Sequence, residues 1–176
     1  MKRLLLAAIM AALVVITSSV FSSEPLGPRH ATTELQVTGQ KLVGVVAEGL
    51  RLDLASSGVV TDGFLAGTTI EGLDYALIRY DGVMVIDARY FAVTADGATM
   101  AIVLKGYLGE PTPGLFEAML DPEFEPPDVD IPVHGAAWFE TMAPQYAFLN
   151  HSVFSMTGTV NRATGAIRSV FRPIAE

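Results

Sequence analysis

Short apolar runs separated by glycine and Asp-Gly pairs set the texture of this chain. Asp62-Gly63, Asp81-Gly82 and Asp96-Gly97 supply the positive φ angles that two-residue hairpin turns require. Residues 75–80, 83–94 and 98–107 are β-branched and aromatic stretches joined by the last two pairs, which predicts a three-stranded antiparallel meander. Residues 34–46, 50–54 and 59–65 predict three earlier strands. Residues 145–160 and 166–173 predict two later ones, joined by a turn around Arg162-Ala163-Thr164-Gly165. In the 83–94 strand Val83, Val85, Asp87, Arg89, Phe91 and Val93 share one face, and Met84, Ile86, Ala88, Tyr90 and Ala92 share the other. Neither face is simply polar, so both are expected to be at least partly covered. About eight strands with two apolar faces suit an all-β fold, a single closed or nearly closed antiparallel β-barrel with room for side chains or one small ligand. A β-sandwich is the competing architecture.

Residues 106–135 break this pattern with six prolines and seven acids, and residues 113–120 inside it predict one short helix. A connection this long is usually functional or disordered, and we read it as a flap over one end of the barrel. The amino terminus has a different pattern again. Lys2 and Arg3 precede thirteen uncharged apolar residues, Leu4 to Ile16, with Val20 and Ser22 placed for a cut before Ser23. That is the pattern of a cleaved secretory signal peptide, and the apolar run is too short to span a bilayer. The expected organisation is therefore a signal peptide at 1–22, a flexible entry at 23–33, and a β-barrel domain at 34–176 carrying the flap at 106–135. Localisation is expected to be periplasmic or secreted, with no stable membrane anchor after cleavage.

Charge sharpens this picture. The whole chain has 11 bases and 19 acids, and the first 22 residues hold two of the bases and no acid, so the remainder carries a formal charge of −10. Scattered bases in so acidic a chain argue against nucleic acid as a partner. With no cysteine there are no disulfides and no thiolate chemistry.

Three histidines, His30, His134 and His151, lack close metal-ligand spacing, and combining His134 and His151 with Glu140 gives no convergence along the strands. Asp128-Val-Asp130 lacks the glycine and terminal glutamate of a calcium loop. Phosphate-loop and serine-nucleophile motifs are missing too. Neither metal nor cofactor is expected. What remains is a set of polar and aromatic residues within predicted strands, namely Asp74, Tyr75, Arg79, Asp87, Arg89, Tyr90, Lys105, Trp138, Glu140, Tyr146 and Asn150. A charge in an apolar strand must be paired or face water. Asp87 and Arg89 share a face and suit a structural ion pair. Alternatively Arg89, Glu140 and a tyrosine line the cavity, where a desolvated glutamate can act as acid or base.

Gly72-Leu-Asp-Tyr75, Arg79-Tyr-Asp-Gly82, Ile86-Asp-Ala-Arg-Tyr90 and Thr94-Ala-Asp-Gly-Ala98 resemble the central block of a bacterial family, domain of unknown function 3237. Trp138-Phe-Glu-Thr141, Tyr146-Ala-Phe-Leu-Asn150 and Thr157-Gly158 resemble its later block. The resemblance implies a small closed barrel, similar to those of the allene oxide cyclase-like kind, and carries over Asp74, Asp87, Arg89, Tyr90, Glu140, Tyr146, Leu149 and Asn150. This sequence departs from the family in its signal peptide, its longer insertion, and Phe148 in place of a tryptophan.

Two functions are expected. One is a cofactor-independent lyase, cyclase or isomerase acting on a small hydrophobic or aromatic molecule. In it Glu140 is acid or base, Tyr146 the proton donor and Arg89 the anchor, while Asp74, Tyr75, Asp87, Tyr90, His134, Trp138 and Asn150 bind the ligand. The other is a non-catalytic carrier of a lipophilic ligand, with Tyr75, Phe91, Trp138 and Phe154 as lining. An envelope interaction module with a filled barrel is a third option, and assembly as a homo-oligomer is left open.

Overall fold

The computed structural model describes residues 29–174, so the expected signal peptide lies outside the described residues. Eight strands follow one another around a closed antiparallel barrel. They are β1 (Ala31–Val46), β2 (Gly49–Gly63), β3 (Thr69–Arg79), β4 (Met84–Val93), β5 (Thr99–Leu108), β6 (Asp130–Glu140), β7 (Val153–Asn161) and β8 (Ala166–Pro173). Each strand pairs with the next, and β1 pairs with β8 from Ala31↔Phe171 to Gln36↔Ala166. Barrel, not sandwich, is the architecture. Among the described residues no helix is long and apolar enough to cross a membrane.

The expected meander is present. Asp81-Gly82 turns β3 into β4 and Asp96-Gly97 turns β4 into β5, with Gly82 at φ 80° and Gly97 at φ 84°. Other boundaries move, each for a physical reason. β1 begins at Ala31, inside the segment expected to be a flexible entry, because Ala31 and Thr33 are buried against the barrel. The two strands expected at 50–54 and 59–65 are one continuous β2. Ser57-Gly58 does not turn: Gly58 lies opposite Leu35, and a Cβ there would sit 2.1 Å from the Glu34 carbonyl oxygen. This glycine serves a close approach of backbones. The segment expected to open a strand at 145 is instead a 3₁₀ helix, Pro144–His151, followed by β7. Pro144 has no N–H for a sheet ladder, and Leu149 is drawn into the core.

Two apolar clusters fill the barrel from its ends. The β2–β3, β4–β5 and β6–β7 connections share one end, where Leu65, Phe139, Leu149, Phe154 and Phe171 pack together. Phe139 and Phe154 meet edge to face at 5.1 Å between ring centres. At the opposite end the insertion is ordered as α1 (Leu115–Leu120), which buries Leu115 and Phe116 against Leu50, Leu52 and Ile78. The expected flap is thus a packed cover.

The Gly58 contact predicts a contrast between two alanine substitutions. Gly58→Ala should lower stability by about 1–3 kcal/mol, as overpacking does. Gly39→Ala, whose Cβ would meet only the Ala55 Cβ at 3.7 Å, should stay within about 0.5 kcal/mol of wild type. Urea midpoints of the two variants check this.

Candidate functional site

A cavity of about 200 Å³ lies inside the barrel between the two clusters. Its wall is largely aliphatic, from residues such as Leu54, Ile70, Ile102 and Leu104, which follows from strand parity. On β4 the even positions Met84, Ile86 and Tyr90 face inward, and on β3 Ile70, Asp74, Ala76 and Ile78 do. Of the residues singled out from sequence, Asp74 and Tyr90 line the cavity.

Asp74 is held by an interruption in the sheet. The β3–β4 pairing runs through Asp74↔Ala88 and resumes at Leu77↔Val85. In between, the Asp87 backbone N–H donates to Asp74 Oδ1 at 2.9 Å. Burial pushes the Asp74 carboxyl up to about 6; the Asp87 and Asp53 charges add to the shift, and the Asp87 N–H and Arg51 oppose it. Tyr90 lies one step along the same wall, and its hydroxyl accepts a hydrogen bond from Ser56 Oγ at 3.2 Å. Burial is the main cause that raises its hydroxyl to about 12, so it stays protonated and able to donate. A carboxyl that titrates near neutrality, a phenol and a serine thus converge on an apolar space.

The other expected site residues do not reach the cavity. Arg89 and Asp87 stand on the outer face of β4 because they have the opposite parity to Tyr90. Arg89 Nη1 donates to Asp87 Oδ1 at 2.5 Å and Lys105 Nζ lies 3.9 Å from Asp87 Oδ2, an ion cluster on the surface. Glu140 is exposed at the end of β6 opposite Ala101, away from the lumen. Tyr75 also faces outward, with the Arg51 guanidinium 5.0 Å from its ring centre. Trp138 and His134 are exposed on β6, where His134 packs 6.0 Å from the Tyr107 ring. Phe91, considered as cavity lining, is exposed on the outer face, while Phe154 is part of the packed end.

Tyr146 and Asn150 belong to the 3₁₀ segment, and their bonds are bracing ones. Tyr146 Oη donates to Asp96 Oδ1 at 3.3 Å, and Gln145 Nε2 donates to Asp96 Oδ2 at 3.0 Å. Burial and the Asp96 charge raise the Tyr146 hydroxyl above its ordinary value. Asn150 accepts from the Thr141 N–H at 2.8 Å and donates to the Thr141 carbonyl at 2.9 Å. Among the described residues no three His, Cys, Asp or Glu side chains gather as a metal site.

Among the polar cavity residues that sequence reasoning missed are Ser56, Asn161 and Arg162. Ser56 is buried in a strand whose sequence resembles a turn, and Arg162 sits in the β7–β8 turn, where no periodicity marks a lumen position.

Comparison with known proteins agrees with this architecture. The family described as Protein of unknown function (DUF3237) matches residues 33–172. Among curated proteins none matches. A conserved protein of unknown function from Rhodopseudomonas palustris is 22% identical, with 85% of this chain and 98% of that one covered at a TM-score of 0.60. A β-barrel-like protein from Acinetobacter baumannii is 21% identical, covering 87% and 98% at a TM-score of 0.61. A protein of unknown function from Clostridium acetobutylicum is 20% identical, covering 84% and 97% at a TM-score of 0.64. These structures share the fold.

The raised Asp74 pKa fixes the sign of a pH effect. The folded state disfavours the carboxylate relative to the unfolded chain, so its penalty is absent below about pH 4, grows toward pH 6 and is constant above. Asp74→Asn keeps an acceptor for the Asp87 N–H and removes the charge. It should be more stable than wild type at pH 8, by about 1–3 kcal/mol, with the difference vanishing below about pH 4. Denaturant midpoints measured across pH 3.5–8 read this directly.

Proposed function

The chain belongs to the DUF3237 family, and we propose that it holds a small, largely apolar organic molecule inside its barrel and offers it the acid–base pair Asp74 and Tyr90. One observation carries this: a carboxyl with a pKa of about 6 set into the wall of an apolar cavity of about 200 Å³. Near neutral pH such a group is populated in both forms, as a general acid or base must be. The aliphatic wall holds the ligand by burial, and a cavity below the roughly 300–1,000 Å³ of drug-sized sites suits a small ligand. Asp74 takes or returns the proton and the Tyr90 hydroxyl donates to a developing oxyanion. These are the roles that the sequence suggested for Glu140 and Tyr146, moved to residues that face the lumen. Proton transfer of this kind serves a cofactor-independent lyase or isomerase. The amino-terminal pattern supports export to the periplasm or beyond.

A panel of small aromatic and aliphatic molecules, screened by thermal shift, tests the reading, since a ligand that binds only the folded state must raise Tm. For any binder, Asp74→Asn and Tyr90→Phe should each weaken affinity about tenfold, the loss of one good hydrogen bond. Glu140→Gln and Arg89→Gln should leave it unchanged. The reverse pattern would place the site on the outer face. Where a binder is also converted, Asp74→Asn should abolish turnover; binding without conversion by wild type favours the carrier.

Export has its own readout. Protein isolated from the periplasmic or secreted fraction should begin at Ser23 by intact mass, and a mass that retains Met1 would refute cleavage.

A further inference from the structure

Arg162 differs from most of the other basic residues described. Arg51, Arg79, Arg89, Lys105 and Arg168 each have a carboxylate oxygen within 4.0 Å. Arg162 lines the cavity and has none among the described residues. Among the described residues its Nε, shut off from solvent, has no hydrogen-bond partner, and its Nη1 bonds to the Met84 sulfur at 3.7 Å. Burial pulls its pKa below the ordinary arginine value, with no acid acting in the other direction.

Nearby carboxylates are engaged elsewhere. Asn161 Nδ2 donates to Asp128 Oδ1 at 2.8 Å and to Asp130 Oδ1 at 3.3 Å, so these two acids of the insertion are held by the amide beside Arg162. The same Asn161 accepts the Ala163 and Thr164 N–H groups through Oδ1, both at 3.1 Å, which fixes the turn that carries Arg162. A guanidinium is a rigid fork of donors matched to a carboxylate. Arg162 is half-buried with its Nε shut off from solvent, and partial desolvation without an anion costs stability that a ligand carrying the anion would recover.

We propose that Arg162 is the anion-binding end of the lumen and that the molecule it takes is a small carboxylic acid with an apolar body. The inference rests on the lumen reading above and adds the chemical class of its ligand. The carboxylate meets Arg162 beside the β7–β8 turn, and the apolar body runs along the aliphatic wall toward Asp74 and Tyr90.

The test uses trans-cinnamate and octanoate, with cinnamamide and octanamide as uncharged partners, titrated by calorimetry into the purified protein at pH 7.5. Each acid should bind at least tenfold more tightly than its amide. Arg162→Met should erase that preference and leave amide affinity unchanged, and Arg162→Lys should keep part of it. Without ligand, Arg162→Met should raise Tm by roughly 2–4 °C, since it removes an unpaired, partly desolvated charge. Amides that bind as well as the acids overturn the anion site and leave the lumen reading standing. Failure of all four probes to bind overturns both. A lowered Tm for Arg162→Met with the acid preference intact assigns Arg162 a structural role and also overturns the proposal.

Discussion

An eight-stranded sheet left open would present two unpaired edges and one long apolar face. The ladder between Ala31–Gln36 of β1 and Ala166–Phe171 of β8 prevents this, and the lumen exists only because these six pairs close it. With no cysteine to staple the chain, closure rests on backbone hydrogen bonds and on the two clusters that fill the barrel from its ends. The cavity inside the barrel is lined by residues of both clusters, and Asp74, Ser56 and Tyr90 add polar groups to its wall.

Once the barrel is closed, parity decides what each strand contributes. Asp74 and Tyr75 are neighbours in sequence, as are Arg89 and Tyr90, yet one of each pair enters the lumen and the other meets solvent. The outer-face charges find one another: Asp87 gathers Arg89 and Lys105. Exposed ion pairs of this sort contribute little to stability. The lumen groups are fewer and less well compensated, with Asp74 satisfied through one backbone N–H and Arg162 bonded, among the described residues, only to the Met84 sulfur. Polar groups under that kind of stress are where function is usually found.

Much of the fold was legible in the chain because its signals are local. Asp-Gly turns and β-branched runs specify hairpins through backbone angles alone, and the proline-rich acidic insertion stood apart from them, although residues 130–135, counted in it, open β6. Continuity through Ser57-Gly58 was not legible, since a glycine tolerated in a turn and one required for close packing look the same in sequence. The 3₁₀ segment escaped for a related reason: Tyr146, Phe148 and Leu149 have the apolar texture of a strand. At the site, Asp74 and Tyr90 could be singled out, but the face they share could not be told from the one holding Arg89. Both faces of β4 carry large apolar residues, and Phe91 stays exposed on the outside. Arg162 was beyond reach, because its interest lies in the partner it lacks, and lacking a partner is a property of three dimensions.

Closure by the first and last strands also has a kinetic side. Ala31 pairs with Gly63 of β2 within a local hairpin, but its second partner, Phe171, comes 140 residues later, so the seam waits for β8. Contacts spanning nearly the whole sequence form late and slowly, after the local hairpins have assembled. A nascent chain therefore stays open along this seam until β8 has emerged. Its hairpins can form early, but the compartment that would receive a ligand comes into being only when the carboxy-terminal strand docks.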